Sequence, residues 1–86
     1  LRHGRIYVVI AIDKDYETTV FVYPSIQSMI GRVGKEFNMS PDTAYEVLDR
    51  LYEWDRRPEV IVGSSFQVRQ TTGGPTYNIY CERLYE

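Results

Sequence analysis

Ile6-Tyr7-Val8-Val9-Ile10-Ala11-Ile12 is the stretch whose reading decides the fold. The run is of strand length, and most of its residues are β-branched, which favours pleated backbone over helix. Apolar side chains on both faces mark a strand covered on both sides, or one central in its sheet. Asp13-Lys14-Asp15-Tyr16 then supplies turn residues, and Glu17 to Tyr23 (ETTVFVY) returns as a second strand. The two make an antiparallel hairpin.

Beyond the hairpin the apolar period changes from two to between three and four. Ile26, Met29, Ile30, Val33 and Phe37 predict one helical stripe of about three turns, with Ser25 as its N-cap. Gly31 and Gly34 lie inside it, each costing about 1 kcal/mol relative to Ala. Asn38-Met39-Ser40 breaks the stripe. Ser40-Pro41-Asp42 opens a second helix, with a capping serine, proline at the first helical position and a carboxylate near the positive end of the dipole. Its inward stripe is Ala44, Val47, Leu48, Leu51 and Trp54, and Arg56-Arg57-Pro58 ends it. Glu59 to Val62 reads as a short strand. Phe66–Thr71 and Thr76–Glu82 read as a hairpin around Gly73-Gly74-Pro75. The expected order is ββααβββ: an α+β domain, an antiparallel sheet with two helices packed on one face.

The chain has 86 residues, room for one core, so residues 6–86 are read as a single domain behind a flexible amino-terminal arm, residues 1–5. That arm is basic but lacks a small-residue cleavage pattern, and is not read as a signal peptide. No apolar run approaches the ~20 residues of a membrane span. The single cysteine, Cys81, offers no internal disulfide, which points to a reducing, cytoplasmic compartment and to a small buried hydrophobe on a strand.

Catalytic material is sparse, and the chain is read as no enzyme. The one histidine, His3, falls in the arm, and no Cys or His spacing matches a metal site. Asp13 and Asp15 lack the glycine and closing glutamate of a calcium loop and are read as turn formers. Thr72-Gly73-Gly74-Pro75 has no lysine and leads into a strand, whereas phosphate cradles lead into helices. Neither cofactor nor metal is expected.

Residues 26–54, with the break at Asn38-Met39-Ser40 and the sequence Ser40-Pro41-Asp42-Thr43-Ala44-Tyr45-Glu46-Val47-Leu48, resemble a helix-turn-helix unit. The hairpin of residues 66–82, with Arg69-Gln70-Thr71 near its tip, resembles the wing of winged-helix proteins. The opening hairpin followed by Tyr23-Pro24-Ser25-Ile26 is similar to the DNA-binding repeats of homing endonucleases. These resemblances imply nucleic-acid binding, although a winged helix opens with a helix and this chain opens with a hairpin.

The charges point elsewhere. Asp42, Glu46, Asp49 and Glu53 recur at helical spacing and form one acidic stripe on the second helix, where a helix-turn-helix would face phosphate. A net charge of −2 also supplies little phosphate neutralisation. The leading expectation is therefore a protein-binding module, a small regulator or inhibitor. It would dock a basic partner surface through Asp42, Tyr45, Glu46, Asp49, Tyr52 and Glu53, with carboxylates steering and tyrosines anchoring. In size and charge the chain resembles phage-encoded inhibitors of host enzymes. The alternative is a nucleic-acid binder using Arg32, Lys35, Arg56, Arg57 and Arg69, and a third reading is an accessory subunit of a larger assembly. In the last hairpin Tyr77, Ile79 and Cys81 are expected inward, and an edge strand there offers pairing to a second copy as a homodimer.

Overall fold

Two inner strands carry the pairing of the sheet. The computed structural model describes residues 3–33, 35–57, 63–70 and 73–85, and the side chains of all of these but 3 and 83–85. Its elements are β1 (His3–Ile12), β2 (Thr18–Tyr23), α1 (Ile26–Ile30), α2 (Pro41–Arg56), β3 (Ser65–Val68) and β4 (Thr76–Tyr85). The sheet is antiparallel in the order β2-β1-β4-β3, so β1 is central, as its two apolar faces require. It pairs with β2 from Tyr7↔Tyr23 to Ile12↔Thr18 and with β4 from His3↔Tyr85 to Ile12↔Thr76. Three residues read as part of the arm, His3 to Arg5, are thus strand residues.

Register fixes the inward face. Tyr7, Val9 and Ala11 of β1 stand beside Tyr77, Ile79 and Cys81 of β4, and Tyr7 and Val9 also stand beside Tyr23 and Phe21 of β2. All except half-buried Phe21 are buried. Ile26 and Met29 of α1 and Val47 and Leu51 of α2 close the core over that face. Aromatic rings fill its two ends. Phe37 packs against Phe21, Tyr23 and Tyr77 at ring separations of 5.2, 6.2 and 5.5 Å, and Trp54 packs edge-on to Phe66 at 5.1 Å. Those separations and the edge-on geometry suit the ring quadrupoles.

The turn between β1 and β2 forms as its residues require. The Asp13 carboxylate accepts the backbone N–H groups of Asp15 and Glu17, both at 2.9 Å, and Tyr16 takes the left-handed conformation at φ 62°.

Two expectations change. The first helix does not run three turns. It is capped by Ser25, whose hydroxyl accepts from the Ser28 N–H at 3.1 Å, and it ends at Ile30. From Arg32 to Lys35 the bonds tighten to i→i−3: Arg32 to Met29, Val33 to Ile30 and Lys35 to Arg32. Two glycines in a single stripe remove the local preference for a continued α-helix. Tight turns still deliver Phe37 to the core, so the apolar spacing survives while the helix does not. The third strand expected at 59–62 lies outside the described residues, and the described order is ββααββ. The strand expected over Phe66–Thr71 is observed as Ser65–Val68.

Past β3, a side chain does the joining. Gln70 Oε1 accepts the Ser40 N–H at 2.9 Å, and Gln70 Nε2 donates to the carbonyls of Asn38 at 2.9 Å and Pro75 at 3.1 Å. One amide therefore ties the start of α2 to the loop before β4. A Cβ on Gly74 would collide with that amide, so a side chain and a bare glycine fit as a pair. Removing the amide leaves a half-buried N–H and two carbonyls to find water, each lost bond being worth about 0.5–1.5 kcal/mol. Gln70→Ala is expected to lower the free energy of unfolding by about 1–3 kcal/mol in urea titrations with m unchanged. Unaltered stability would remove the clamp from this account.

Candidate functional site

The outward face of α2 is built from its N-terminus. The Ser40 hydroxyl accepts the Thr43 N–H at 3.3 Å and shares a 2.8 Å hydrogen bond with the Thr43 hydroxyl, and Pro41 opens the first turn. Thr43, Val47 and Leu51 are buried, so the helix has one rotational setting on the core. With that face turned in, Asp42, Tyr45, Glu46, Asp49, Tyr52 and Glu53 are all exposed. At about 100° per residue the four acidic positions share an arc of about 60°, and Tyr45 and Tyr52 lie within about 20° of each other beside it. Tyr45 is 70% exposed and Tyr52 48%.

The stripe is not uniform. Arg56 donates to Glu53 Oε2, and the Arg57 Nε lies 3.3 Å from Glu53 Oε1. The Arg56 hydrogen bond, and then the charges of Arg56 and Arg57, hold the Glu53 carboxyl below the usual glutamate range. Among the described residues, Asp42, Glu46 and Asp49 form no ion pair. The unpaired carboxylates therefore run from Asp42 to Asp49, and the end of the stripe is flanked by two arginines. Arg50 stays out of it, its guanidinium 5.2 Å from the centre of the Phe66 ring. Asp55 turns aside as well, accepting from Gln27 Nε2 at 3.1 Å and so joining α2 to α1.

The basic residues of the nucleic-acid reading do not gather into one patch of unpaired charge. Arg32 lies 3.3 Å from Glu36, and Arg56 and Arg57 both hold Glu53. Arg69 donates through Nε to the Gln67 amide oxygen at 3.1 Å. Lys35 is exposed in the turns after α1. Of the elements behind the helix-turn-helix resemblance, α1 is only five residues long and β4, expected as part of a wing, is an inner strand of the sheet.

Groups that could react are held back. Cys81 is buried, and that burial pushes its thiol up, away from the reactive thiolate. Tyr23 donates to Glu36 Oε2 at 2.8 Å, and burial first, then this bond, pushes its hydroxyl far above the usual range. Among the described residues no three His, Cys, Asp or Glu side chains come together to hold a metal ion, and no helix is long and apolar enough to cross a membrane.

Two surfaces escaped the sequence reading. One is a shallow groove of about 490 Å³ between β2 and α1, lined by Tyr23, Ser28, Arg32 and Glu36 among others. The other is the sheet face opposite the helices, where Val20 is 56% and Val22 60% exposed. No alternation in β2 gave the signal, since Val20 to Tyr23 are apolar throughout, and β1, apolar on both sides, left the choice of inward face open.

Comparison with known proteins found no matching family model, no matching curated protein and no matching solved structure.

Whether the fourth carboxylate of the stripe is ion-paired is measurable. A carbon-detected NMR titration should place the Glu53 midpoint below the ordinary glutamate range, and Arg56→Ala should raise it. A Glu53 midpoint that ignores that substitution would restore the fourth free carboxylate.

Proposed function

We propose that this chain is a small non-enzymatic protein-binding module, a regulator or inhibitor that docks a basic protein surface through the outward face of α2. The observation that carries the reading is the pairing of two water-exposed tyrosine rings, Tyr45 and Tyr52, with the carboxylates of Asp42, Glu46 and Asp49 on one continuous helix face. Tyrosine combines a large apolar ring with a hydroxyl that stays hydrated, and it is enriched among the residues that dominate binding energy. Carboxylates beside it raise the encounter rate with a positive surface and disfavour negative partners. Support also comes from the rigidity of the platform. Helix α2 has 16 residues, is capped at its start and is anchored by Val47 and Leu51, so the contact residues are presented without ordering a loop.

Glu53 changes role in this reading. Its charge is spent on Arg56 and Arg57, so it fixes the end of the surface and the binding set is Asp42, Tyr45, Glu46, Asp49 and Tyr52. Duplex DNA is disfavoured by the same geometry, because the exposed carboxylates would face phosphates and three of the five candidate cations are already paired.

Cross-linking in native-host lysate, followed by binding measurements with the purified partner, tests the reading. The expected partner surface is basic, and affinity should weaken as salt rises from about 0.1 to about 0.5 M. Glu46→Lys with Asp49→Lys, and separately Tyr45→Ala with Tyr52→Ala, should each cost at least about tenfold in affinity, about 1.4 kcal/mol. Affinity untouched by both pairs, or tight salt-sensitive binding to duplex DNA, would contradict it.

A further inference from the structure

Both helices lie on one side of the sheet, and no described element covers the other. By register and pleat, that open face carries Ile6, Val8 and Ile10 of β1, Val20 and Val22 of β2, and Tyr80 of β4. The central residues are half-buried only by their neighbours, and the β2 valines stand in water. Polar side chains border the patch: Thr18 and Thr76 at one end, and Ser65, Gln67 and Asn78 along the β3 side. Gln67 donates to Asn78 Oδ1 at 2.9 Å, so this border is partly satisfied within the chain. An apolar centre inside a polar rim is the anatomy of an interface.

We infer that the open sheet face is the contact surface for a second copy of this chain, two sheets stacking face to face about a two-fold axis. Charge placement favours a copy of the chain over other partners. Among the described residues the outward face carries two charges, and they sit at opposite ends. Glu82 lies opposite Ile6, and Arg69 follows Val68 at the Thr76 end, bonded to outward-facing Gln67. A two-fold axis parallel to the sheet and midway between the two copies, perpendicular to the strands and level with Ile79, reverses the strand direction and keeps the strand order. It sets Arg69 of each copy towards Glu82 of the other, and it places Val8 of one copy against Ile10 of its mate, Val22 against Val20, and Tyr80 against Asn78. The face is self-complementary in charge and in apolarity, as an isologous contact requires.

The area suffices. Strands of 10, 6, 10 and 4 residues, spaced about 4.8 Å apart and rising about 3.4 Å per residue, cover about 500 Å² in each copy. The pair then buries about 1,000 Å², where specific interfaces begin. The α2 surfaces point away from such a stack, so a dimer presents two of them.

Sedimentation velocity from about 1 to about 100 µM should show a monomer–dimer equilibrium in the full chain. Tyr80→Lys, at the centre of the face and away from either edge strand, and Val22→Lys, at an exposed position with little bearing on the fold, should each weaken the dimer at least tenfold with far-UV circular dichroism unchanged. Glu82→Arg should also weaken it, and adding Arg69→Glu to Glu82→Arg should restore it. A protein that stays monomeric at the highest concentration overturns the inference. So does a dimer indifferent to both Tyr80→Lys and Val22→Lys, which would place the contact on a sheet edge or on α2.

Discussion

The structure depends on β1 having a hydrogen-bonded strand on each side. An inner antiparallel strand sends its N–H and C=O groups alternately left and right, so none is left unpaired over the shared length. Seven consecutive apolar residues could not tolerate an edge position, where a flat hydrophobic strand invites pairing with other chains. Strands β2 and β4 remove that hazard. What β1 does not do is choose its own inward face, because Ile6, Val8 and Ile10 are as apolar as Tyr7, Val9 and Ala11. The choice is made by β4, where Tyr77, Ile79 and Cys81 alternate with Thr76, Asn78, Tyr80 and Glu82, and β1 follows through its register.

From that choice comes the two-sided character of the molecule. The inward face is closed by α1, the turns after it and α2, and its aromatic rings meet at both ends of the core. The outward face inherits the spare apolar residues of β1 and the valines of β2. Helix α2, held by Val47 and Leu51, keeps its own outward side for carboxylates and tyrosines. One exposed surface is apolar and nearly uncharged and the other is acidic and aromatic. Their physical chemistry suits different partners, and they lie on opposite sides of the core.

Much of this was legible in the residues. Ser40-Pro41-Asp42 marks the start of α2 because each residue there satisfies a requirement of a helix N-terminus. The alternation at residues 77 to 81 marks an inward strand face for equally local reasons. Helix α1 misled because apolar spacing reports which residues reach the core, not the turn geometry that carries them there, and glycine in the stripe weakens the sequence preference for a continued helix. The Gln70 clamp joins residues about thirty positions apart, a pairing that no local pattern encodes. The acidic stripe was visible as four carboxylates, but the ion pairing of Glu53 needed the helix to run on to Arg56 with Arg57 folding back on the same group.

The pairing of β1 on both sides is the claim on which the rest stands, and amide hydrogen exchange read residue by residue tests it most directly. The slowest amides should be those of residues 7 to 11 in β1 and 77 to 81 in β4, exchanging only through global unfolding. The edge strand β2 and the last turn of α2 should open sooner. If β2 or α2 outlasted β1, the strand would not be the centre of the fold, and the division into a closed and an open sheet face would fall with it.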